Sequence, residues 1–79
     1  MRNERIIALR NKKSLTQKEA AKHIGISYSM LAMMESGHRI GSYSTLKKVA
    51  DFYEVNIDDL FDKNFFNHHS RETREKEVG

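Results

Sequence analysis

Tyr28, Ser29, Ala32 and Met33 are the residues of this 79-residue chain whose types and spacing bear most directly on chemistry. In a helix opening after Ser27 with Leu31 and Met34 turned inward, positions 28, 29, 32, 33 and 36 turn outward together. On that face Tyr28 and Ser29 offer hydroxyls, and Ala32 and Met33 offer apolar groups. It has no Arg, Asn or Gln able to make a bidentate contact. Its chemistry is recognition through single hydrogen bonds and methyl contact, not bond-making. Gln17 stands at a predicted helix start, where unpaired N–H groups and the helix dipole favour an anion. Arg39, beside Gly37 in a predicted loop, is either a solvated charge or an anion contact.

Other chemistries find little support. The chain has no cysteine, so neither a thiol nucleophile nor a disulfide nor a thiolate metal site is available. There is no glycine-rich phosphate loop and no convincing Ser/His/Asp set. His23, His38, His68 and His69 lack carboxylate or thiolate partners at metal-ligand spacing. We therefore expect no enzyme activity, no cofactor, no metal and no small-molecule substrate. The net charge is +3 and the pI about 9.3. The charge is uneven: residues 1–13 hold five Lys/Arg against one Glu, and residues 42–61 hold two against four acids. A basic N-terminal half suits a polyanionic partner.

The elements that would position these residues are helical. Proline is absent and Lys, Glu, Leu and Ala are abundant. The first helix is expected from about Asn3 to Lys13, with Ile6, Leu9 and Arg10 on one face. A second opens at Thr16, which forms a capping box with Glu19, buries Ala20, Ala21 and Ile24, and ends at Gly25. Ile26 follows as a buried plug. The third is capped by Ser27 and ends at Gly37. A fourth is capped by Ser44 or Ser42 and carries the stripe Leu46, Val49, Ala50 and Tyr53. A short fifth is capped by Asn56, with Asp58 and Asp59 in its first turn, and Val55, Ile57, Leu60 and Phe61 close the core.

Two short helices separated by Gly25-Ile26-Ser27, with small Ala21 permitting a close crossing, have the layout of a helix-turn-helix, whose second helix enters the major groove. A generic helical hairpin has the same spacing. Several segments carry a further resemblance: Leu15 to Ala21, Ile24 to Ser27, Met34 to Gly37, Ser44 to Ala50 and Val55 to Phe61. In order and spacing they resemble the Cro/C1-type (XRE family) helix-turn-helix domain over nearly all of residues 3–61. The resemblance implies an all-α, five-helix, lambda-repressor-like fold that binds double-stranded DNA. It also implies that Gln17 bonds a phosphate and braces the recognition helix, and that Arg10 pairs with Glu35. By the same match Ser27, Tyr28, Ser29, Ala32 and Met33 face DNA. The segment from His38 to Tyr43, with Arg39 and Ser42, lies along its backbone.

The expected organisation is a DNA-binding domain over residues 1–61 and an extension over residues 62–79, whose Phe65 and Phe66 either cover the core of their own chain or pack across a dimer, the favoured reading, before a frayed end. The N-terminal residues are charged and no apolar run reaches ~20 residues, so a cytoplasmic protein without signal peptide or membrane span is expected. The leading functional expectation is a homodimeric transcriptional repressor on a palindromic operator. An antitoxin or restriction-modification controller would share the fold. A protein-interaction module without DNA would explain the apolar Met30 and Met33.

Overall fold

The computed structural model describes residues 2–61. They form four α-helices: α1 (Glu4–Lys12), α2 (Gln17–Ile24), α3 (Tyr28–Ser36) and α4 (Tyr43–Tyr53). No strand occurs among them. The expected fifth helix is a single 3-10 turn, Ile57–Leu60. Four residues suffice for one turn of either kind, and here the closure is the tighter i to i+3 form. Phe65 and Phe66 lie outside the described residues.

Local hydrogen bonding explains the boundaries. Asn3 caps α1, its side-chain oxygen accepting from the Ile6 N–H at 3.0 Å. Thr16 and Glu19 form a reciprocal capping box at α2, with distances of 3.1 and 2.9 Å. Hydrogen bonds from the Thr16 backbone and hydroxyl hold the exposed Glu19 carboxyl below its ordinary pKa. Gly25 ends α2 in the left-handed region at φ 92°, and Gly37 ends α3 at φ 85°. Such angles are strained for residues with a Cβ. Ser27 caps α3, accepting from the Met30 N–H at 3.0 Å. Of the two serines considered for α4, Ser42 is the cap, accepting from Thr45 N–H at 3.3 Å. The helix therefore begins at Tyr43, and Ser44 is already inside it.

The core is built from one face of each element. Ile6, Ala20, Ala21, Ile24, Leu31, Met34, Val49, Ala50, Tyr53, Leu60 and Phe61 are buried. Leu9, Ile26, Met30, Leu46, Val55 and Ile57 pack around them and are only partly buried. Ile26 is thus a partly covered lid on the turn and not the buried plug the sequence suggests. α2 packs on α3 and α4, α1 packs on α3, and the 3-10 turn closes against α4 and α1. Arg5 fastens that closure by donating from Nε to the Asp59 carbonyl at 2.8 Å. None of these helices is long and apolar enough to cross a membrane.

Candidate nucleic-acid interface

A helix can present a surface reproducibly only if its opposite face is fixed. Leu31 and Met34 anchor α3 in the core, and Glu35 anchors it electrostatically. Glu35 is only 2% exposed. Its Oε2 accepts from Arg10 Nε at 2.7 Å, and its Oε1 accepts from Arg10 Nη2 at 3.0 Å. Gln17 Nε2 donates to the same Oε1 at 3.0 Å. Arg10 also donates from Nη1 to the Leu15 carbonyl at 2.8 Å. One carboxylate on α3 thus ties together α1, the segment before α2 and the start of α2. The bidentate geometry is the strong form of an ion pair. Hydrogen bonding to Glu35 raises the Arg10 pKa above its ordinary value, against the opposing effect of burial. Asn3 adds a backbone link, its N–H donating to the Glu35 carbonyl at 2.8 Å.

Tyr53 lies in the same region, and its buried hydroxyl has no hydrogen-bond partner. Burial pushes its pKa up to about 12, with the negative charge of Glu35 adding to the effect. The hydroxyl stays protonated across the physiological range.

The outward face of α3 is largely exposed. Tyr28, Ser29 and Met33 are exposed and Ala32 is half-buried. Ser27 is exposed, but its hydroxyl oxygen is engaged in capping. Gln17 is half-buried with its amide turned to Glu35, so its observed role is to brace α3. It shares a shallow hollow with Arg2, Arg10, Ala32, Glu35 and Ser36. Across the loop between α3 and α4, Met30, Arg39, Ile40, Gly41, Ser42 and Thr45 line a second hollow. His38 and Arg39 are exposed in that loop. Ser36 donates its hydroxyl to the Met33 carbonyl at 3.0 Å and shares a 2.7 Å hydrogen bond with His38 Nδ1. Ser42 is tied into its own helix start, with Ser44 and Thr45 hydroxyls at 3.1 and 3.2 Å.

The large apolar side chains that stand exposed among the described residues are Tyr28, Met33, Ile40 and Tyr43, the last at 71%. Each lies on α3, in the following loop or at the first position of α4. Apart from Gln17 on α2, the expected contact residues therefore share one stretch of chain, whereas the core is lined from every element. Two participants escape sequence reasoning. Asn3 looks like an ordinary polar terminus. Lys18 looks like a solvated charge, yet its Nζ sits 5.8 Å from the centroid of the Tyr28 ring. Among the described residues no group of three or more potential ligands could hold a metal ion.

Comparison with known proteins matches this architecture. A helix-turn-helix family model matches residues 6–60. An uncharacterized HTH-type transcriptional regulator of Bacillus subtilis, YazB, is 39% identical over 56 residues, covering 71% of this chain and 81% of the relative. The HTH-type transcriptional activator BcrR of Enterococcus faecalis is 34% identical over 58 residues, covering 73% of this chain but only 28% of BcrR. No solved structure matches the chain. With a family model spanning most of its length and a relative 39% identical over 71% of it, the chain belongs to the XRE-type helix-turn-helix family.

Proposed function

We propose that this protein is a sequence-specific double-stranded DNA-binding transcriptional regulator whose α3 enters the major groove. The observation that carries this reading is the two-sidedness of α3. Its inner face is fixed by Leu31, Met34 and the Arg10–Glu35–Gln17 node, while its outer face presents Tyr28, Ser29 and Met33 to solvent. A rigidly backed helix with a free face is what groove recognition requires. The names of the relatives, both HTH-type transcriptional regulators, support the same reading.

In this reading Tyr28, Ser29, Ala32 and Met33 meet base edges, with Ser27 at the point of entry. Gln17, His38, Arg39, Ser42 and Tyr43 follow the sugar-phosphate backbone. Gln17 can reach phosphate only through the part of its amide not used by Glu35, or through its backbone N–H. Residues 1–61 form the DNA-binding unit. Residues 62–79, with Phe65 and Phe66, contribute to a homodimer that places two copies of α3 on a palindromic operator. Occupying such a site obstructs transcription without further machinery, so repression in the cytoplasm is the activity we assign. BcrR is named an activator, so activation is the alternative outcome of the same DNA occupancy.

A second reading is favoured by one observation, the exposed apolar set Tyr28, Met33, Ile40 and Tyr43. A surface of this kind also suits a protein partner. Titration of a labelled random duplex at increasing salt separates the two. DNA binding through several cations gives a linear fall of log affinity with log salt, steep in proportion to the phosphates contacted. Absence of measurable duplex binding at low salt would leave the protein-partner reading.

A further inference from the structure

The Lys18–Tyr28 contact crosses the helix-turn-helix. Lys18 is the second residue of α2 and Tyr28 the first of α3, and the lysine Nζ stands over the tyrosine ring, 5.8 Å from its centroid. Both residues are exposed. Two long exposed side chains ordinarily sample many rotamers. Here they come together on the proposed binding side, and the attraction of an ammonium for the ring face favours that arrangement. The neighbouring Gln17 is turned away to Glu35. The cation that the first turn of α2 presents outward is therefore Lys18, beside the exposed Glu19 carboxylate of the capping box.

We infer that Lys18 is a positioning residue for base recognition: it holds the Tyr28 ring at the start of α3, so that selectivity at the base pair met by Tyr28 depends on Lys18. The inference rests on the DNA-binding reading above. Tyr28 has a single hydroxyl with which to discriminate, and a single hydrogen bond discriminates only when its direction is fixed. Ser27 fixes the backbone at this point by capping. Among the described residues, the contact observed on the ring face is that of Lys18. An ammonium held on the ring face keeps N–H groups free for a phosphate, so one lysine can orient the reader and neutralise one backbone charge together. Lysine in this place thus couples affinity to specificity across the turn.

The test is binding-site selection and salt-dependent affinity measurement with the full chain as wild type, Lys18→Ala, Lys18→Arg, Tyr28→Ala and the double variant Lys18→Ala/Tyr28→Ala. Melting curves are recorded alongside; both side chains are exposed, so folding should persist. Lys18→Ala should reduce the salt slope by about one and lower base preference about two- to five-fold. That loss should fall at the same base pair that Tyr28→Ala affects. Lys18→Arg should restore the preference, since a guanidinium also stacks on an aromatic face. The double variant should have the base preference of Tyr28→Ala alone. If wild type selects a site and Lys18→Ala weakens all sequences alike with an unchanged preference profile, Lys18 is merely a phosphate contact and the inference fails alone. If wild type selects no duplex, the DNA-binding reading falls and takes this inference with it.

Discussion

Replacing Glu35 by glutamine keeps the shape of the side chain and removes its charge, so it isolates what the carboxylate does for α3. The native carboxylate accepts two hydrogen bonds from Arg10 and one from Gln17, at 2.7, 3.0 and 3.0 Å. A glutamine has one carbonyl oxygen, and its amide nitrogen would face donors. Breaking a fully buried ion pair costs about 3–5 kcal/mol, because the abandoned charge is left without compensation. The Glu35 side chain is 3% exposed and that of Arg10 15%. Water can therefore reach part of the guanidinium, and we discount the loss to about 2–3 kcal/mol. For a domain of this size each kcal/mol lowers the melting temperature by about 4–8 °C, so the fall should be roughly 10–20 °C. Gln17→Ala removes one hydrogen bond and leaves the ion pair, which should cost about 0.5–1.5 kcal/mol. Thermal unfolding followed by circular dichroism measures both. A Glu35→Gln variant melting within about 3 °C of wild type would refute the claim that this node fixes α3.

Tyr53→Phe should leave stability unchanged or raise it by up to about 1 kcal/mol, because the deleted hydroxyl is buried without a partner. The tyrosine pKa is raised to about 12 in the fold, so between pH 10 and 12 the unfolded chain loses the proton first and wild-type stability falls as pH rises. Urea titrations at pH 8 and 11 should show that alkaline loss reduced in Tyr53→Phe, and an equal loss in both proteins would contradict the assignment. Gly25→Ala should cost about 1 kcal/mol from the left-handed backbone alone, because a Cβ there meets open space. A fully unfolded variant would show that the turn is crowded after all. Ser29→Ala and Met33→Ala should each relax base preference at one or two positions without changing the salt slope. Selected-site profiles identical to wild type would move recognition to the loop or to DNA shape.

What the sequence discloses of this fold is what can be expressed in a few consecutive residues. Thr16 with Glu19, Ser27, Gly25 and Gly37 each act within one helical turn, and each marks the boundary found. The choice between Ser42 and Ser44 is not local in this sense. Either hydroxyl could cap a helix, and only the path of the loop selects Ser42. The turn at Ile57–Leu60 has the apolar spacing of a short helix, and nothing in four residues distinguishes an α from a 3-10 closure. Asn3 and Lys18 gain their roles from partners far along the chain, the Glu35 carbonyl and the Tyr28 ring. Gln17 shows the same limit from the other direction. Its place at a helix start suggests an anion, while the fold also turns its amide to Glu35.

The measurement that bears most directly on the central claim is selection of binding sites from a random double-stranded DNA pool by the full chain. Enrichment of a two-fold symmetric site is expected, with halves about one helical turn, 34–36 Å, apart. The contacted positions should contain A/T pairs, because Met33 and Ala32 can meet thymine methyls while no side chain on the face can grip guanine with two hydrogen bonds. Recovery of no enriched sequence after repeated rounds at low salt would contradict the claim that α3 reads DNA.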